Sequence, residues 1–177
     1  MTLAVYRILI NLILLFSPII ILIRILKGKE DLNRFPEKLG FFSKKKVGKK
    51  LIWFHGASVG ELLSVIPLIE NLEKDKNIDQ ILLTSSTISS AKVFSKFKFK
   101  KTIHQFFPID SNIISKKFIN FWKPSISIFI DSEIWPNMIL NLNKEKIPII
   151  LLNARITKKS FKRWKILKNF ADKIFQC

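Results

Sequence analysis

The sequence predicts an α/β fold, a Rossmann-like parallel sheet with helices on both faces, preceded by an N-terminal transmembrane helix. Three observations predict it. The first segment is long and almost wholly apolar. Beyond it, short apolar runs alternate with segments whose apolar residues recur at helical spacing, which is typical of βαβ units. Small and charged residues directly follow several of the runs, where the ligands of a parallel sheet gather.

Composition limits the possible functions. The 177 residues include 31 Lys and Arg against 13 Asp and Glu, a net charge of +18 at pH 7. This excess favours an anionic partner, such as nucleic acid, an acidic lipid leaflet or a phosphorylated substrate, although the lysine bias of an AT-rich genome would also produce it. A mean hydropathy of +0.21 excludes a disordered chain. One Cys and two His give no disulfide framework or cysteine zinc site, so we predict no metal and no cofactor.

The first 26 residues are predicted to form an uncleaved membrane anchor. Residues 8–23 are apolar except for Asn11, Ser17 and Pro18, and the stretch reaches the length that crosses a bilayer. No small-residue cleavage site follows, which argues against a signal peptide. A helix that lies on a surface or is buried is the alternative. Residues 27–50 are read as a basic linker, and their bases place the following body, 51–177, on the cytoplasmic side and against anionic lipid.

The body is predicted to alternate regularly between strand and helix. The five predicted strands are 51–54, 81–84, 103–107, 126–130 and 147–152. The five predicted helices are 62–72, 90–97, 112–121, 135–143 and 160–174. Crossovers between neighbouring parallel strands should be right-handed, which places helices on both faces of the sheet.

The first candidate site follows the first strand, at His55-Gly56-Ala57-Ser58-Val59-Gly60-Glu61. Small residues allow a tight turn and a close approach of ligand to backbone. Glu61 would stand in the first turn of the next helix, where a carboxylate can take a proton from a hydroxyl. The alternative needs no function, because Ser58 and Glu61 also have the spacing of a helix capping box. The glycine pattern is neither a dinucleotide fingerprint nor a phosphate P-loop.

Two further candidate sites follow later strands. Asp131 and Glu133 come after the strand 126–130 and could bind substrate hydroxyls, orient a base or hold a metal, or they could simply favour the start of a helix. Arg155 follows the last strand and could hold a phosphate or carboxylate, or it could be a surface residue paired with an acid.

Together these segments resemble a known family. The matching runs are Ile52 to Glu61, Ile130 to Asn137, Ile147 to Arg155, Arg34 to Gly40 and Phe107 to Asp110. In this order and at these separations they resemble the 3-deoxy-D-manno-octulosonic acid (Kdo) transferases of lipopolysaccharide synthesis, over nearly the whole chain.

The resemblance implies an inverting glycosyltransferase of the two-Rossmann-domain (GT-B) type at the inner membrane. Such enzymes move Kdo from CMP-Kdo to the lipid A precursor, lipid IVA, without a catalytic metal. It implies that Glu61 is the general base and that Ser58 and Gly60, in the same turn, bind substrate. Asp131, a second catalytic candidate, stands where the family usually has Glu, and Glu133 and Arg155 are expected to bind substrate. The shorter side chain leaves the role of Asp131 in transition-state support open.

The resemblance also implies a second, donor-binding domain that these residues do not contain. We therefore expect the chain to represent an N-terminal half that does not transfer Kdo alone. Two other hypotheses stay open: a membrane-tethered basic binding module without catalysis, and the product of a decayed gene. Nucleic acid is not an expected partner, since no nucleic-acid motif is recognised and the aromatic residues fall mainly in predicted core runs.

Overall fold

The computed structural model describes residues 2–131 and 133–175. Its helices are α1 (Leu3–Leu26), α2 (Val59–Leu72), α3 (Ile88–Phe94), α4 (Asn112–Trp122), α5 (Pro136–Lys144), α6 (Lys158–Ile166) and α7 (Lys168–Phe175). Its strands are β1 (Leu51–His55), β2 (Gln80–Ser85), β3 (Thr102–Phe106), β4 (Ile126–Ile130) and β5 (Ile149–Leu152). The predicted α/β fold is confirmed.

The five strands form one parallel sheet in the order β3-β2-β1-β4-β5. The chain winds outward from β1 to β3 and then returns to place β4 on the other side of β1. The strand order therefore reverses between the carboxyl ends of β1 and β4, and in open α/β sheets this position is the usual ligand crevice.

Alternate strand residues supply two separate cores, one on each face of the sheet. Trp53 packs with Phe118 of α4 and Met138 of α5 on one face. Phe54, the next residue along β1, packs with Leu62 and Val65 of α2 on the other. Successive side chains of a strand point to opposite faces, so an apolar run such as 51–54 is buried on both sides.

The C-terminal helical segment is broken, whereas the sequence predicted one helix over 160–174. α6 ends at Ile166 and α7 begins at Lys168. The break redirects the chain so that Phe170 and Ile174 are 3% exposed, buried against the body. A continuous helix was predicted because apolar residues keep their helical spacing through Leu167. The spacing of apolar residues does not predict where the axis of a helix changes direction.

The segment 27–50 is tied to the sheet in its middle part. A 3-10 turn, Phe35–Leu39, contains Glu37, which is 1% exposed. The Glu37 carboxylate accepts hydrogen bonds from both the Arg34 guanidinium, at 2.9 and 3.0 Å, and the backbone N–H of Phe106, at 2.7 Å. Charge and glycine content suggested a linker, but the buried carboxylate fixes this part of the segment beside β3.

Candidate active site

The turn between β1 and α2 holds Glu61 at the carboxyl edge of the sheet. Ser58 is the N-cap of α2, and its hydroxyl oxygen accepts the backbone N–H of Glu61 at 3.2 Å. The Glu61 carboxylate in turn accepts the Ser58 O–H at 2.7 Å and the backbone N–H of Ala57 at 2.7 Å. This resembles a capping box, except that the carboxylate accepts the N–H of Ala57, the residue before the N-cap, instead of the N–H of Ser58; Glu61 therefore stabilises the start of α2 whatever else it does.

The same side chain is open to a ligand. Glu61 is partly exposed, and Ser58 and Gly60 beside it are exposed. A Cβ added at Gly56 would lie 3.0 Å from the Glu61 Cβ and 3.0 Å from Ile130 Cδ1. Glu61 therefore packs over the boundary between β1 and β4, at the crevice where the strand order reverses, and Gly56 is small enough to allow it.

The loop after β4 begins with a strained residue. Asp131 has a φ of 56°, and Asn153, which follows β5, has a φ of 57°. The Asn153 side-chain amide donates to Asp131 Oδ1 at 2.6 Å, which joins the two strand ends. Left-handed backbone costs a non-glycine residue free energy of roughly 1 kcal/mol or more, and Asp and Asn are among the residues that tolerate it best.

Glu133 connects this loop to the end of β1. Its carboxylate accepts the Trp135 indole N–H at 2.8 Å and lies 3.4 Å from His55 Nε2. Burial raises the pKa of Glu133, but His55 and the Trp135 N–H outweigh it and hold that pKa below its usual value. Glu133 is therefore an anion that is held by Trp135 of its own loop and faces His55 at the end of β1.

His55 forms the buried floor under Glu133. Its ring is fully buried, stacks on Phe107 at 3.8 Å and approaches the Thr84 hydroxyl through Nδ1 at 3.0 Å. The 3.4 Å approach of Nε2 to Glu133 is long for a hydrogen bond. The ring thus has a fixed orientation, with one nitrogen directed toward the loop after β4.

Arg155 lies further along the same edge, beyond β5. It is exposed and lines a groove of about 390 Å³ together with Ile134, Leu151 and Trp164. The groove is largely apolar, with the guanidinium as its cationic residue. Ile134 also belongs to the loop that carries Glu133, so the groove adjoins the crevice.

The structure thus places all of the predicted site residues at the carboxyl edge of the sheet. Ser58, Gly60 and Glu61 follow β1, and Asp131 and Glu133 follow β4 across the crevice. Arg155 is displaced from them by the width of β5. Their chemical roles remain predictions. Within residues 2–131 and 133–175, no three His, Cys, Asp or Glu side chains converge as metal ligands would.

Sequence reasoning placed His55 at the start of the first candidate site without giving it a role, and did not predict its contact with Glu133. The two residues are far apart in the sequence, and only the adjacency of β1 and β4 brings them together. Asn153 was likewise not predicted to hold Asp131. The sequence did contain a signal for both contacts, since each pair joins residues that lie at or shortly after the ends of two strands, and those strands are neighbours in the sheet.

Comparison with known proteins identifies the relatives of the chain. The family described as "3-Deoxy-D-manno-octulosonic-acid transferase (kdotransferase)" matches residues 33–177. A 3-deoxy-D-manno-octulosonic acid transferase of Rickettsia bellii is 42% identical, over 89% of this chain and 40% of its own length. A probable mitochondrial one of Arabidopsis thaliana is 39% identical over 80% of this chain and 32% of its own length. A 3-deoxy-D-manno-octulosonic acid transferase from Haemophilus influenzae is 30% identical over 77% of this chain and 32% of its own length. The chain thus spans well under half the length of these relatives.

Proposed function

Because the chain belongs to the 3-deoxy-D-manno-octulosonic acid transferase family, we propose that it forms the acceptor-side half of a GT-B glycosyltransferase. Its reaction is the transfer of Kdo from CMP-Kdo to a lipid A precursor, lipid IVA, with inversion at the anomeric carbon. The observation that carries this proposal is the position of the Glu61 carboxylate, partly exposed at the carboxyl edge of β1 and beside the β1–β4 crevice.

In this mechanism Glu61 is the general base. It accepts the proton of an acceptor sugar hydroxyl as that oxygen attacks the anomeric carbon of Kdo. The bond from that carbon to the CMP phosphate oxygen breaks, and CMP leaves with the electron pair. The hydrogen bonds from Ala57 and Ser58 hold the carboxylate in place without occupying all its lone pairs, and a general base of this kind contributes about 10²–10⁴-fold in rate.

The anionic side chains across the crevice have a different role. Asp131 and Glu133 face the acceptor hydroxyls, and Asp131 supports charge that develops in the transition state. Glu133 is held by the Trp135 N–H at 2.8 Å, so it binds substrate in one orientation. Arg155 contributes to binding a substrate phosphate as a bidentate donor. No step requires a metal ion.

We further propose that α1 attaches the domain to the inner membrane, with the body on its cytoplasmic face. α1 is long and apolar enough to cross a membrane, by length and composition. Attachment would hold a basic body at an anionic leaflet, and each juxtamembrane base contributes about 1 kcal/mol near such a surface. The bisphosphorylated acceptor lies in the same surface.

The test is a transfer assay. We expect residues 1–177 alone to give no product, because the donor CMP-Kdo is bound by a second domain that corresponds to the remaining length of the relatives. Joined to that remaining region of the Rickettsia bellii relative, the chain should add Kdo to lipid IVA, detected by mass spectrometry of the lipid. Transfer by 1–177 alone would disprove the division of labour, and a folded fusion that binds CMP-Kdo but leaves lipid IVA unchanged would disprove the proposed function.

A further inference from the structure

One stripe of α1 faces the body along the whole helix. The residues with reduced exposure recur every three or four positions, which places them on a single helical face. They are Leu3, Tyr6, Arg7, Ile10, Leu14, Ser17, Ile21, Arg24 and Ile25. A helix that touched the body only at one end would show such a stripe only near that end.

The N-terminal end of α1 is bonded to the body. The Tyr6 hydroxyl donates to Asp110 Oδ2 at 2.7 Å, and Arg7 Nε donates to Asn137 Oδ1 at 2.9 Å. Asp110 lies between β3 and α4, and Asn137 lies in the first turn of α5. Both partners therefore stand at the carboxyl edge of the sheet, because a helix that follows a parallel strand begins at that edge.

The C-terminal end of α1 reaches the same edge by another route. Arg24 Nε pairs with Glu30 Oε2 at 2.8 Å, and Lys38 Nζ pairs with Glu30 Oε1 at 2.7 Å. Lys38 also donates to the backbone carbonyl of Ser86, the residue after β2, at 3.2 Å. Arg7 and Arg24 are roughly 26 Å apart along the axis, given the rise of an α-helix.

The opposite face of α1 is apolar and uncovered. Its exposed residues include Ile8 at 59%, Leu15 at 70%, Ile19 at 59% and Leu22 at 57%. The polar residues of the segment, among them Arg7, Asn11, Ser17 and Arg24, all lie within about 90° of the centre of the body-facing stripe at 100° per residue. α1 is therefore two-sided: its polar residues lie on the half that meets the body, together with the apolar Leu3, Ile10, Leu14, Ile21 and Ile25, whereas its open half is apolar.

These contacts are incompatible with a helix that crosses the bilayer. Crossing separates the two helix ends by a hydrocarbon layer of about 30 Å, and the sheet domain cannot then contact both. We propose that α1 instead lies in the plane of the membrane surface, with its open apolar half in the lipid and its body-facing half on the carboxyl edge of the sheet. The N-terminus is then on the same side of the membrane as the body.

The occupant of the apolar face is a lipid leaflet. The face carries no charge along its length, and Lys27 and Lys29, which follow the helix directly, can contact the headgroups of an anionic leaflet. This arrangement also places the crevice at the lipid surface, because α1 follows the edge that holds Glu61. The inference rests on the proposed membrane attachment but not on the proposed chemistry.

The in-plane orientation of α1 is tested by the depth in the bilayer of spin labels at three of its positions. Ile8, Leu15 and Leu22 lie on one face of α1, about 10 Å apart along the axis. Each is replaced by Cys in a Cys177→Ser background, spin-labelled and reconstituted in phosphatidylethanolamine and phosphatidylglycerol vesicles, with Lys144→Cys on the body as the water-exposed control. Equal, shallow depths at all three positions, from oxygen and nickel accessibility, are expected.

The other outcomes overturn the proposal. A Leu15 label about 10 Å deeper than those at Ile8 and Leu22 would show a crossing helix. Low oxygen accessibility with dipolar broadening between labels would show a second copy on this face instead of lipid. As an independent measurement, a membrane-impermeant maleimide should label Thr2→Cys and Lys144→Cys from the same side of the membrane. Labelling of Thr2→Cys from the opposite side, or from neither, would contradict it.

Kdo transfer by the same labelled proteins, completed with the donor region, distinguishes the two proposals. A crossing depth profile with normal transfer would leave the proposed function standing and remove the in-plane helix. Equal label depths without Kdo transfer would support the in-plane helix and contradict the proposed function.

Discussion

Acid should weaken the folded state through His104. Arg34 Nη2 donates to His104 Nδ1 at 3.1 Å, so Nε2 carries the proton and donates to Ser85 Oγ at 2.8 Å. Burial, with the positive charges of Arg34 and Lys44, lowers the pKa of His104 to about 3. The unfolded chain has an ordinary histidine pKa of about 6.5.

The sign and size of the effect follow from this difference. Between pH 6.5 and 3 the unfolded chain binds a proton at His104 that the folded chain does not, so the free energy of unfolding falls as the pH falls. The loss is about 1.4 kcal/mol per pH unit, or about 2 kcal/mol between pH 7 and pH 5. Above pH 7 the contribution is complete and constant.

Asp110 acts in the opposite direction over part of this range. Burial raises the pKa of Asp110 to about 6, despite hydrogen bonds from Tyr6, Asn137 and Met138. The folded chain therefore holds an extra proton between about pH 6 and pH 4, and the free energy of unfolding rises as the pH falls there. The pH dependence of the free energy of unfolding therefore contains contributions from both His104 and Asp110, and a variant that lacks one of the two groups is needed to separate them.

The assay is urea unfolding of the native protein and of His104→Gln, in detergent, at pH 7, 6 and 5. The difference in the free energy of unfolding between the two should shrink by about 2 kcal/mol from pH 7 to pH 5, because only the native chain loses the histidine contribution. Parallel curves, with a difference that does not depend on pH, would refute the view that His104 is buried as a neutral ring.

Two further predictions concern the crevice. Glu133→Ala should lower the free energy of unfolding by about 1–3 kcal/mol, because the Trp135 N–H loses its acceptor, whereas Glu133→Gln should lower it less; equal losses in urea unfolding would contradict this. Gly56→Ala should cost about 1–3 kcal/mol, since the added Cβ meets Glu61 and Ile130 at 3.0 Å. Gly60→Ala is the matched control: its Cβ meets only Ser58 Oγ, at 4.0 Å, and it should not lower Tm.

The sheet could be predicted from the sequence because each strand is a short apolar run between segments of helical spacing. The prediction extended to the position of the candidate site, since residues that follow parallel strands share one edge. Individual boundaries were less certain. The last strand was predicted from Ile147 but begins at Ile149, because an apolar residue can pack on the core without pairing in the ladder.

Other features depend on contacts between distant parts of the chain. The Glu37 carboxylate was not predicted to be buried, because its acceptance of the Phe106 N–H follows from the fold and not from local sequence. The approach of His55 to Glu133 has the same origin. The two-sided character of α1 was present in the sequence, but its high apolar content favoured a crossing helix over one that lies on the body.

The most direct test of Glu61 as the base compares two variants of the chain joined to the remaining region of the Rickettsia bellii relative. Gln at position 61 can still accept the Ala57 N–H and bond to Ser58, so Glu61→Gln keeps the cap but removes the base. Ser58→Ala keeps the carboxylate but removes the cap, at a cost of about 1 kcal/mol in stability.

The measurement is the rate of Kdo transfer to saturating lipid IVA by each variant. We expect Glu61→Gln to lose about 10²–10⁴-fold in rate with an unchanged Tm, and Ser58→Ala to lose Tm while it stays within about tenfold of the native rate. A Glu61→Gln variant that transfers Kdo at nearly the native rate would show that Glu61 is only a helix cap.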